Sequence, residues 1–465
     1  MHRTLLVLAM SACLTGCMRR EAYQRPAPPV PNAWPESAAG QTGDSDAPEA
    51  ANLKWREFFT DPRLQSVIEL ALNNNRDLRA AALNVERVYS MYRIQRARQY
   101  PTVDFSGGGE VYRLPEKMSS SSEPEIVGQL TTGLGAAAWE LDLFGRIRSL
   151  KSAALEEYLA TEQARSAAQI SLVAAVANTY LALAADRDSL RLAEETLRTQ
   201  QALYELIRHT REAGMASDLE VRQAQSQVEA ARVDIARYSG QVALGENALN
   251  LLVGAPVPRD LLPQELESDH PLRDLDPGVP SEVLLRRPDI LAAEHRLKAA
   301  YANIGAARAA FFPRISLTSG AGFMSNDLSD LFRFGTRTWN FAPQMLVPIF
   351  DAGGRKASLK VAQVERDLAV AEYEKAIQRA FREVSDSLTL RTRLLEQQRA
   401  QQDLVSTLED TYRLSEARYK AGIDSYLSVL VAQQSLYSAR QVLVSLRLAR
   451  LGNLVTLYKV LGGGA

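Results

Sequence analysis

Cysteine is nearly absent from this chain: Cys13 and Cys17 are the only two in 465 residues, and both lie near the start. No disulfide framework and no thiolate metal cluster can form in the body of such a protein. Histidine is as sparse, with four residues at positions 2, 209, 270 and 295 and no metal-ligand spacing among them. His295 falls on a helical stretch without a second ligand, whereas a zinc site needs at least three protein ligands. An excess of one charge is missing as well: 54 basic residues face 55 acidic ones. The chain therefore has no basic footprint for nucleic acid, and the arginine-rich stretch from Arg76 to Arg98 reads as a solvated helix face. Ser, His and Asp occur, but no nucleophile motif brings them together. Gly107-Gly108-Gly109 lies inside an alternating pattern and opens no helix, so it is no phosphate loop; glycine there marks a bulge or a barrel bend. These absences leave an enzyme without a catalytic constellation, a cofactor motif or a metal site. Outside the N-terminus no run reads as long and apolar enough to cross a bilayer as a helix.

What is present begins with a targeting segment. Arg3 supplies the charge, Thr4 to Leu14 an apolar run, and Leu14-Thr15-Gly16-Cys17 the end. A short apolar run behind a basic start is an export signal. Leu-x-Gly-Cys in that place resembles a bacterial lipoprotein cleavage box, which makes Cys17 the lipid-bearing first residue of the mature protein. Residues 1–16 are then signal and 17–60 a lipid-anchored extended segment, rich in Pro, Ala, Ser and Gly from 26 to 50, which suits a tether.

The body of the chain is a duplication. Asp77 to Pro101 returns as Asp289 to Pro313, an offset of 212; Gly145 returns as Gly354, an offset of 209. Tyr204, Ala213-Gly214, Leu219, Ala224-Gln225 and Ala231-Arg232 return as Tyr412, Ala421-Gly422, Leu427, Ala432-Gln433 and Ala439-Arg440, an offset of 208. Conserved order at a nearly fixed offset marks two copies of one structural module. The copies are placed at 61–254 and 288–465, with a linker at 255–287.

Each copy starts as a helix, from Pro62 to about Tyr100 and from Pro288 to Phe312, and stops at a proline (Pro101, Pro313) that cannot continue it. The period then changes from 3.6 to 2. Ile315, Leu317, Ala321 and Phe323 alternate with Ser316, Thr318 and Gly320; Trp339, Phe341, Met345, Val347 and Ile349 alternate with Thr338, Asn340 and Gln344. Val103, Phe105 and Val111 alternate likewise with Asp104, Ser106 and Glu110. Such alternation predicts strands at 102–114, 126–143, 314–324 and 337–350, with one apolar and one polar face. The helical period returns over 146–212 and 355–420, with no proline in either stretch. At 1.5 Å per residue each is a rod roughly 100 Å long. Ala213-Gly214 and Ala421-Gly422 reverse the chain, glycine taking the left-handed helix cap, and return helices follow at 217–253 and 425–460.

A chain without a membrane-spanning helix can still cross as strands that close into a barrel, and these strands have about the 9–11 residues that a tilted span requires. Trp339 and Tyr112 suit the aromatic girdles of such barrels. A soluble sheet packed on helices shows the same alternation. Four strands cannot enclose a lumen, so the barrel reading demands an oligomer: three chains give 12 strands over 12 helices.

Leu285-Arg286-Arg287-Pro288-Asp289-Ile290, Ala293-Glu294-His295 and the run Ala302-Asn303-Ile304-Gly305 through Pro313 resemble the outer-membrane efflux channel lipoproteins of the TolC/OprM type. So do Asp142-Leu143-Phe144-Gly145-Arg146, Pro348-Ile349-Phe350-Asp351-Ala352-Gly353 and Leu461-Gly462-Gly463-Gly464. The resemblance covers nearly all of the mature chain. It implies a TolC-like fold of mixed α and transmembrane β structure, internally duplicated, with four strands and long helical hairpins per chain. The homotrimer would be a 12-stranded β-barrel in contact with outer-membrane lipids and a 12-helix periplasmic α-barrel. It also implies the exit duct of a tripartite efflux pump, working with a periplasmic adaptor and an inner-membrane transporter and catalysing nothing. No cofactor is implied beyond the covalent lipid on Cys17.

A passive duct must be shut when idle, and the turns from Ala213 to Gln225 and from Ala421 to Gln434 are where closure is expected. Glu220 matches the family's acid at the contact that breaks on opening, and Tyr419 the tyrosine that bonds to it. Asp424 replaces the family's arginine near the turn, while Ser428 and Val431 stand where pore-ring aspartates are common. These departures favour an apolar constriction of Leu427 and Val431 with Asp424 nearby; hydrophobic constrictions gate by dewetting. The plain alternative for Leu427 and Val431 is a coiled-coil seam. The competing reading of the whole chain is a lipid-anchored periplasmic coiled-coil adaptor, disfavoured by the duplicated hairpin and the alternating strands.

Overall fold

In the computed structural model, which describes residues 23–34, 53–119, 123–266, 272 and 284–463, four strands form one antiparallel sheet. They are β1 (Asp104–Leu114), β2 (Glu125–Leu141), β3 (Arg314–Ser325) and β4 (Arg337–Leu346), paired in that order. Residues opposite one another on paired strands share a face. Phe105 faces Leu134, Leu134 faces Ala321, and Ala321 faces Trp339. Ser106 faces Gly133, Gly133 faces Gly322, and Gly322 faces Thr338. The two-residue period thus sorts the sheet into an apolar face and a polar one, and β2–β3 pairing joins the two copies. The apolar face is bare: Phe105, Val111 and Ile126 are 73–74% exposed and Trp339 77%. β4 stops at Leu346 rather than 350, because Leu346 pairs with Arg314, the first residue of β3, and Pro313 before it has no N–H to extend the ladder.

Gly107, Gly108 and Gly109 keep an unbroken register against Thr132, Thr131 and Leu130. The expected bulge lies instead between Ala136 and Trp139 of β2, where Ala138 takes a left-handed φ of 50°. Ala136 faces Ser319 while Trp139 faces Leu317, so β2 spends one extra residue. That residue returns Trp139 and Leu141 to the apolar face; an even ladder would have turned them to the polar side.

The helices are α1 (Trp55–Phe58), α2 (Pro62–Asn74), α3 (Arg76–Ala97), α4 (Arg146–Glu212), α5 (Asp218–Val253), α6 (Pro288–Ala309), α7 (Gly354–Lys420) and α8 (Tyr426–Val460). The helix expected from Pro62 to Tyr100 is broken at Asn75, whose backbone is extended. Its Oδ1 accepts from Leu78 N–H at 2.8 Å, and its Nδ2 donates to Leu252 O at 2.8 Å. A buried side chain that caps the next helix while holding a distant carbonyl outweighs helical continuity. The two 67-residue helices start on aspartate caps: Asp142 accepts from Ile147 N and Arg148 N, and Asp351 from Arg355 N.

The chain divides into two compact units. The first holds the N-terminal segment to Ala27, Asn84–Thr161 and Ala292–Tyr373, and so the sheet. Here Glu294, 2% exposed, receives Arg25 Nη2 at 2.7 Å, Tyr23 OH at 3.0 Å and Lys298 Nζ at 3.1 Å. His295, the next residue, lies 2.7 Å from Glu156. At Gly305 of the Ala-Asn-Ile-Gly run a Cβ would sit 2.8 Å from Ser149 Oγ and 3.5 Å from its Cβ, so a larger residue requires that hydroxyl to turn away.

The second unit holds Pro28–Leu83, Glu162–Leu291 and Glu374–Ala465. Phe58 stacks on Tyr458 with centroids 4.2 Å apart, and Tyr458 OH donates to Leu53 O at 2.9 Å. The Arg-Arg-Pro-Asp motif acquires a role here. Arg287, 7% exposed, donates to Val460 O at the end of α8, to both oxygens of Asp289 and to Glu383. It satisfies an orphan carbonyl where a cation is favoured by the helix dipole. Contrary to the sequence expectation, α4 does contain an 18-residue window apolar enough to cross a bilayer. Half of that window is buried inside the protein, among Val173, Val176, Ala177 and Leu183, so packing accounts for its composition.

Candidate functional site

Both helical hairpins reverse through the same turn. Gly214 (φ 77°) and Gly422 (φ 73°) are left-handed. Met215 N–H reaches Thr210 O and Gly214 N–H reaches Arg211 O; Ile423 N–H reaches Arg418 O and Gly422 N–H reaches Tyr419 O. These are the paired six-to-one and five-to-two bonds of a Schellman cap.

The two copies differ immediately after the turn. In the first, Ser217 and Glu220 form a capping box: Ser217 Oγ accepts from Glu220 N at 3.3 Å, and Glu220 Oε2 accepts from Ser217 N at 2.7 Å. In the second, Ser425 precedes α8 without a side-chain cap, and Ser428 stands where the first copy has Glu220. Ion pairs span both turns. Arg211 Nε lies 2.8 Å from Asp218 Oδ1, and Arg418 Nε and Nη2 lie 2.6 and 3.0 Å from the two oxygens of Asp424. The bond to Arg418 holds the Asp424 carboxyl below its ordinary range and raises the guanidinium.

Behind the turns the two hairpins share one apolar cluster. Leu203 and Ile207 of α4, Ala224 of α5, and Tyr426, Val429 and Leu430 of α8 are buried together, with Tyr204, Tyr412 and Tyr419 packed at the edge. Tyr426 is wholly buried and its hydroxyl has no partner among the described residues; burial, followed by the neighbouring Tyr419 and Tyr412, pushes it up to about 12. Tyr419 lies 5.9 Å from the Tyr426 ring, and burial, then the charge of Glu220, raises its hydroxyl. Further along, Tyr437 OH donates to Asp234 at 2.8 Å, Gln441 Nε2 to Tyr238 OH at 3.0 Å and Gln434 Nε2 to Gln227 at 3.1 Å. These bonds tie α8 to α5.

Of the residues singled out from sequence, Glu220, Tyr419 and Asp424 gather at the turns. Among the described residues Glu220 bonds to Ser217 and not to Tyr419, which it reaches only through its charge. Leu427, Ser428 and Val431 point away from the cluster; Leu427 and Val431 are each 55% exposed. They are therefore not seam positions of this chain's own coiled coil, which Tyr426, Val429, Leu430 and Ala432 occupy. Sequence reasoning missed Arg418, whose signal was a basic residue six positions before an acid across a glycine turn. It also missed Tyr426, an aromatic at the first position of a helix. Cys17 lies outside the described residues. Among the described residues no group of three or more His, Cys, Asp or Glu is placed to hold a metal ion.

Two copies of a strand pair followed by a helical hairpin, on a sheet with one bare apolar face, define a channel subunit of the duplicated TolC fold. Residues 67–255 and 279–463 match the family described as outer membrane efflux protein, and the chain belongs to it. It is 50% identical over 466 residues to the probable efflux pump outer membrane protein TtgC of Pseudomonas putida, spanning 100% of this chain and 96% of that one. It is 40% identical over 459 residues to the outer membrane protein OprJ of Pseudomonas aeruginosa, spanning 98% and 95%. Among solved structures, a membrane protein from Pseudomonas aeruginosa superposes with a TM-score of 0.91 at 40% identity, covering 96% of this chain and 98% of that one. The open state of the Neisseria gonorrhoeae MtrE outer membrane channel gives 0.87 at 38%, with the same coverage. The protein is thus an efflux channel of the outer membrane.

Proposed function

We propose that three copies of the chain form a passive exit duct, receiving cargo from a periplasmic adaptor and an inner-membrane transporter, and opening at the helix turns. One observation carries the trimer. The sheet has an exposed apolar face, and among the described residues its two outer strands, β1 and β4, have no outer partners. Open edges do not occur in lipid, and four strands cannot close on themselves around a lumen. Joining β4 of one copy to β1 of the next three times yields 12 strands, apolar outside and lined by the Ser, Thr, Asn and Gln face. The polar lining, with Asp104 and Glu110 on the same face as Ser106, supports transit of solutes. Cys17 carries a lipid that tethers the N-terminus, and the relatives named for toluene and antibiotic efflux support small, largely apolar cargo.

Light scattering of the detergent-solubilised mature protein tests the assembly: three chains per particle are expected, and a monodisperse monomer contradicts the duct. Cys17→Ala separates the duct from a lipid-anchored adaptor. The duct stays in the membrane fraction at high salt and alkaline carbonate; an adaptor held only by its lipid is released. A deletion strain should become hypersensitive to toluene and to apolar antibiotics, and an unchanged profile removes that cargo class.

The gate we propose is the pair Leu427 and Val431, exposed on α8 beside the Arg418–Asp424 pair. Facing copies of these side chains would leave a dewetted constriction.

A further inference from the structure

We propose that α7 of one copy packs along α3 of the next, repeating between copies the contact that α4 and α6 make within the chain, with Arg87 and Glu365 as its ion pair. The proposal rests on the assembly of three copies through their sheets.

Next to the sheet four helices pack in the order α3, α4, α6, α7. Tyr89 of α3 lies against Tyr158 of α4 with centroids 5.1 Å apart. Glu156 of α4 meets His295 of α6 at 2.7 Å, and Arg366 of α7 lies 5.5 Å over the Tyr301 ring of α6. The outer helices are therefore α3 and α7, as β1 and β4 are the outer strands. Both keep apolar side chains on faces turned away from these contacts. On α7, Val361, Val364 and Leu368 are 41–61% exposed, while Ala362 and Tyr373 are buried. Residues three and four apart share a helix face, so the three form one stripe. α3 buries none of its residues, and its Met91 and Ile94 are 51% and 64% exposed.

The duplication identifies what these faces meet. α3 and α6 correspond at an offset of 212, and α4 and α7 at an offset of 209. The α4–α6 contact must then recur between α7 and α3. These stand at opposite ends of the row, so only a neighbouring copy completes the contact. Single residues follow the same correspondence. Ser149 and Glu156 of α4 return as Ser358 and Glu365 of α7, both exposed. Gly305 and His295 of α6 correspond to Arg93 and Leu83 of α3, and Arg87 stands one turn beyond Leu83. Glu365 has no partner among the described residues. Arg87 donates only to Asn84 Oδ1 and Met91 Sδ, neither of them charged. The acid of the Glu156–His295 pair thus recurs unpaired, and a guanidinium without a carboxylate lies opposite it. Where α6 has Gly305, the longer Arg93 can send its charged end out of the seam to water.

Oxidative cross-linking of the full mature protein in membranes tests the seam. A Cβ at Gly305 would lie 3.5 Å from Ser149 Cβ, a separation that a disulfide spans. Arg93→Cys with Ser358→Cys should therefore link neighbouring copies into dimers and trimers on non-reducing gels. Both positions are exposed, so the substitutions leave the chain's own packing intact. Arg93→Cys with Leu368→Cys, roughly 15 Å further along α7, should not link copies, nor should any single variant. Equal linking by that control overturns the register. No linking in a sample that light scattering shows to be trimeric overturns the seam and leaves the assembly standing, whereas a monomeric sample overturns the assembly itself. For the ion pair, Arg87→Glu should lower the temperature at which the trimer dissociates, and Glu365→Arg added to it should restore that temperature. No loss, or no restoration, overturns the pair.

Discussion

Arg418 and Asp424 meet across the second hairpin turn as a two-pronged ion pair, Nε–Oδ2 2.6 Å and Nη2–Oδ1 3.0 Å. The pair closes a turn whose serine makes no side-chain cap, so it takes over the fastening that the Ser217–Glu220 box performs in the first copy. Its oxygens and nitrogens are near solvent, where ion pairs are weak and screened by salt. Asp424→Asn should raise single-channel conductance in planar bilayers and abolish the excess rise expected of the wild type between about 0.1 and 1 M salt. The sign of the pH effect follows from the lowered carboxyl. The pair's contribution is present above the ordinary carboxylate range and lost as pH falls through the lowered value, so conductance should be flat from neutrality down to about pH 4. A change between pH 7 and 5 in wild type, absent from Asp424→Asn, would contradict this assignment.

Leu427 and Val431 are half-exposed on α8, so truncating them removes little from the chain's own core. Leu427→Ala with Val431→Ala should increase conductance while shifting unfolding free energy by no more than about 0.5 kcal/mol per site, as for surface positions. Unchanged conductance would place the closure elsewhere. A large stability loss would instead return both residues to a packing role.

Tyr426 shows the opposite balance. Its ring is wholly buried in the cluster shared by α4, α5 and α8, and its hydroxyl has no partner among the described residues. Tyr426→Ala should cost about 3–5 kcal/mol through the cavity left behind, whereas Tyr426→Phe removes a desolvated hydroxyl and should be neutral or stabilising by about 1 kcal/mol. The raised ionisation, about 12, means that the neutral phenol stabilises the folded state. That contribution is complete below the ordinary tyrosine value near 10 and is lost as pH rises towards 12. The wild type should therefore lose stability relative to Tyr426→Phe across this window in a denaturant titration. Parallel curves would show that the cluster opens to water.

The fold was legible where one period governs many residues. Alternation from Ile315 to Phe323 and from Trp339 to Met345 gave strands and faces, because every second side chain meets a different medium. Ala213-Gly214 and Ala421-Gly422 gave the reversals, because a left-handed cap is a local requirement. Features decided by one distant partner stayed hidden. Asn75 breaks a helix to hold Leu252 O, which no window around residue 75 contains. The bulge falls at three alanines, residues 136–138, and not at the glycine run, because the phase of Trp139 against Leu317 sets it. At the candidate gate the turn residues were readable from the duplication, while Arg418 was not, since its partner lies beyond the glycine and off its own helix.

The N-terminal segment provides the last prediction. Tyr23 and Arg25 converge with Lys298 on Glu294, whose side chain is 3% exposed. Burial opposes ionisation of Glu294, but Arg25, Lys298 and Tyr23 together hold its carboxyl below the ordinary range. Three donors converge on one buried acceptor, while Arg25 and Lys298 stay 46% and 29% exposed, so removing the acceptor costs charged hydrogen bonds rather than stranding buried cations. Glu294→Ala should cost about 1–3 kcal/mol locally and release the segment, so that chymotrypsin cleaves after Tyr23, which also bonds to Glu294, at least tenfold faster than in wild type. The contact should hold at pH 7 and weaken only as pH falls below the ordinary carboxylate range, through the lowered Glu294 value. Glu294→Gln keeps the shape and loses the charge, and its cleavage rate should fall between the two. Equal cleavage in all three proteins would mean that Arg25 is free of Glu294 in solution.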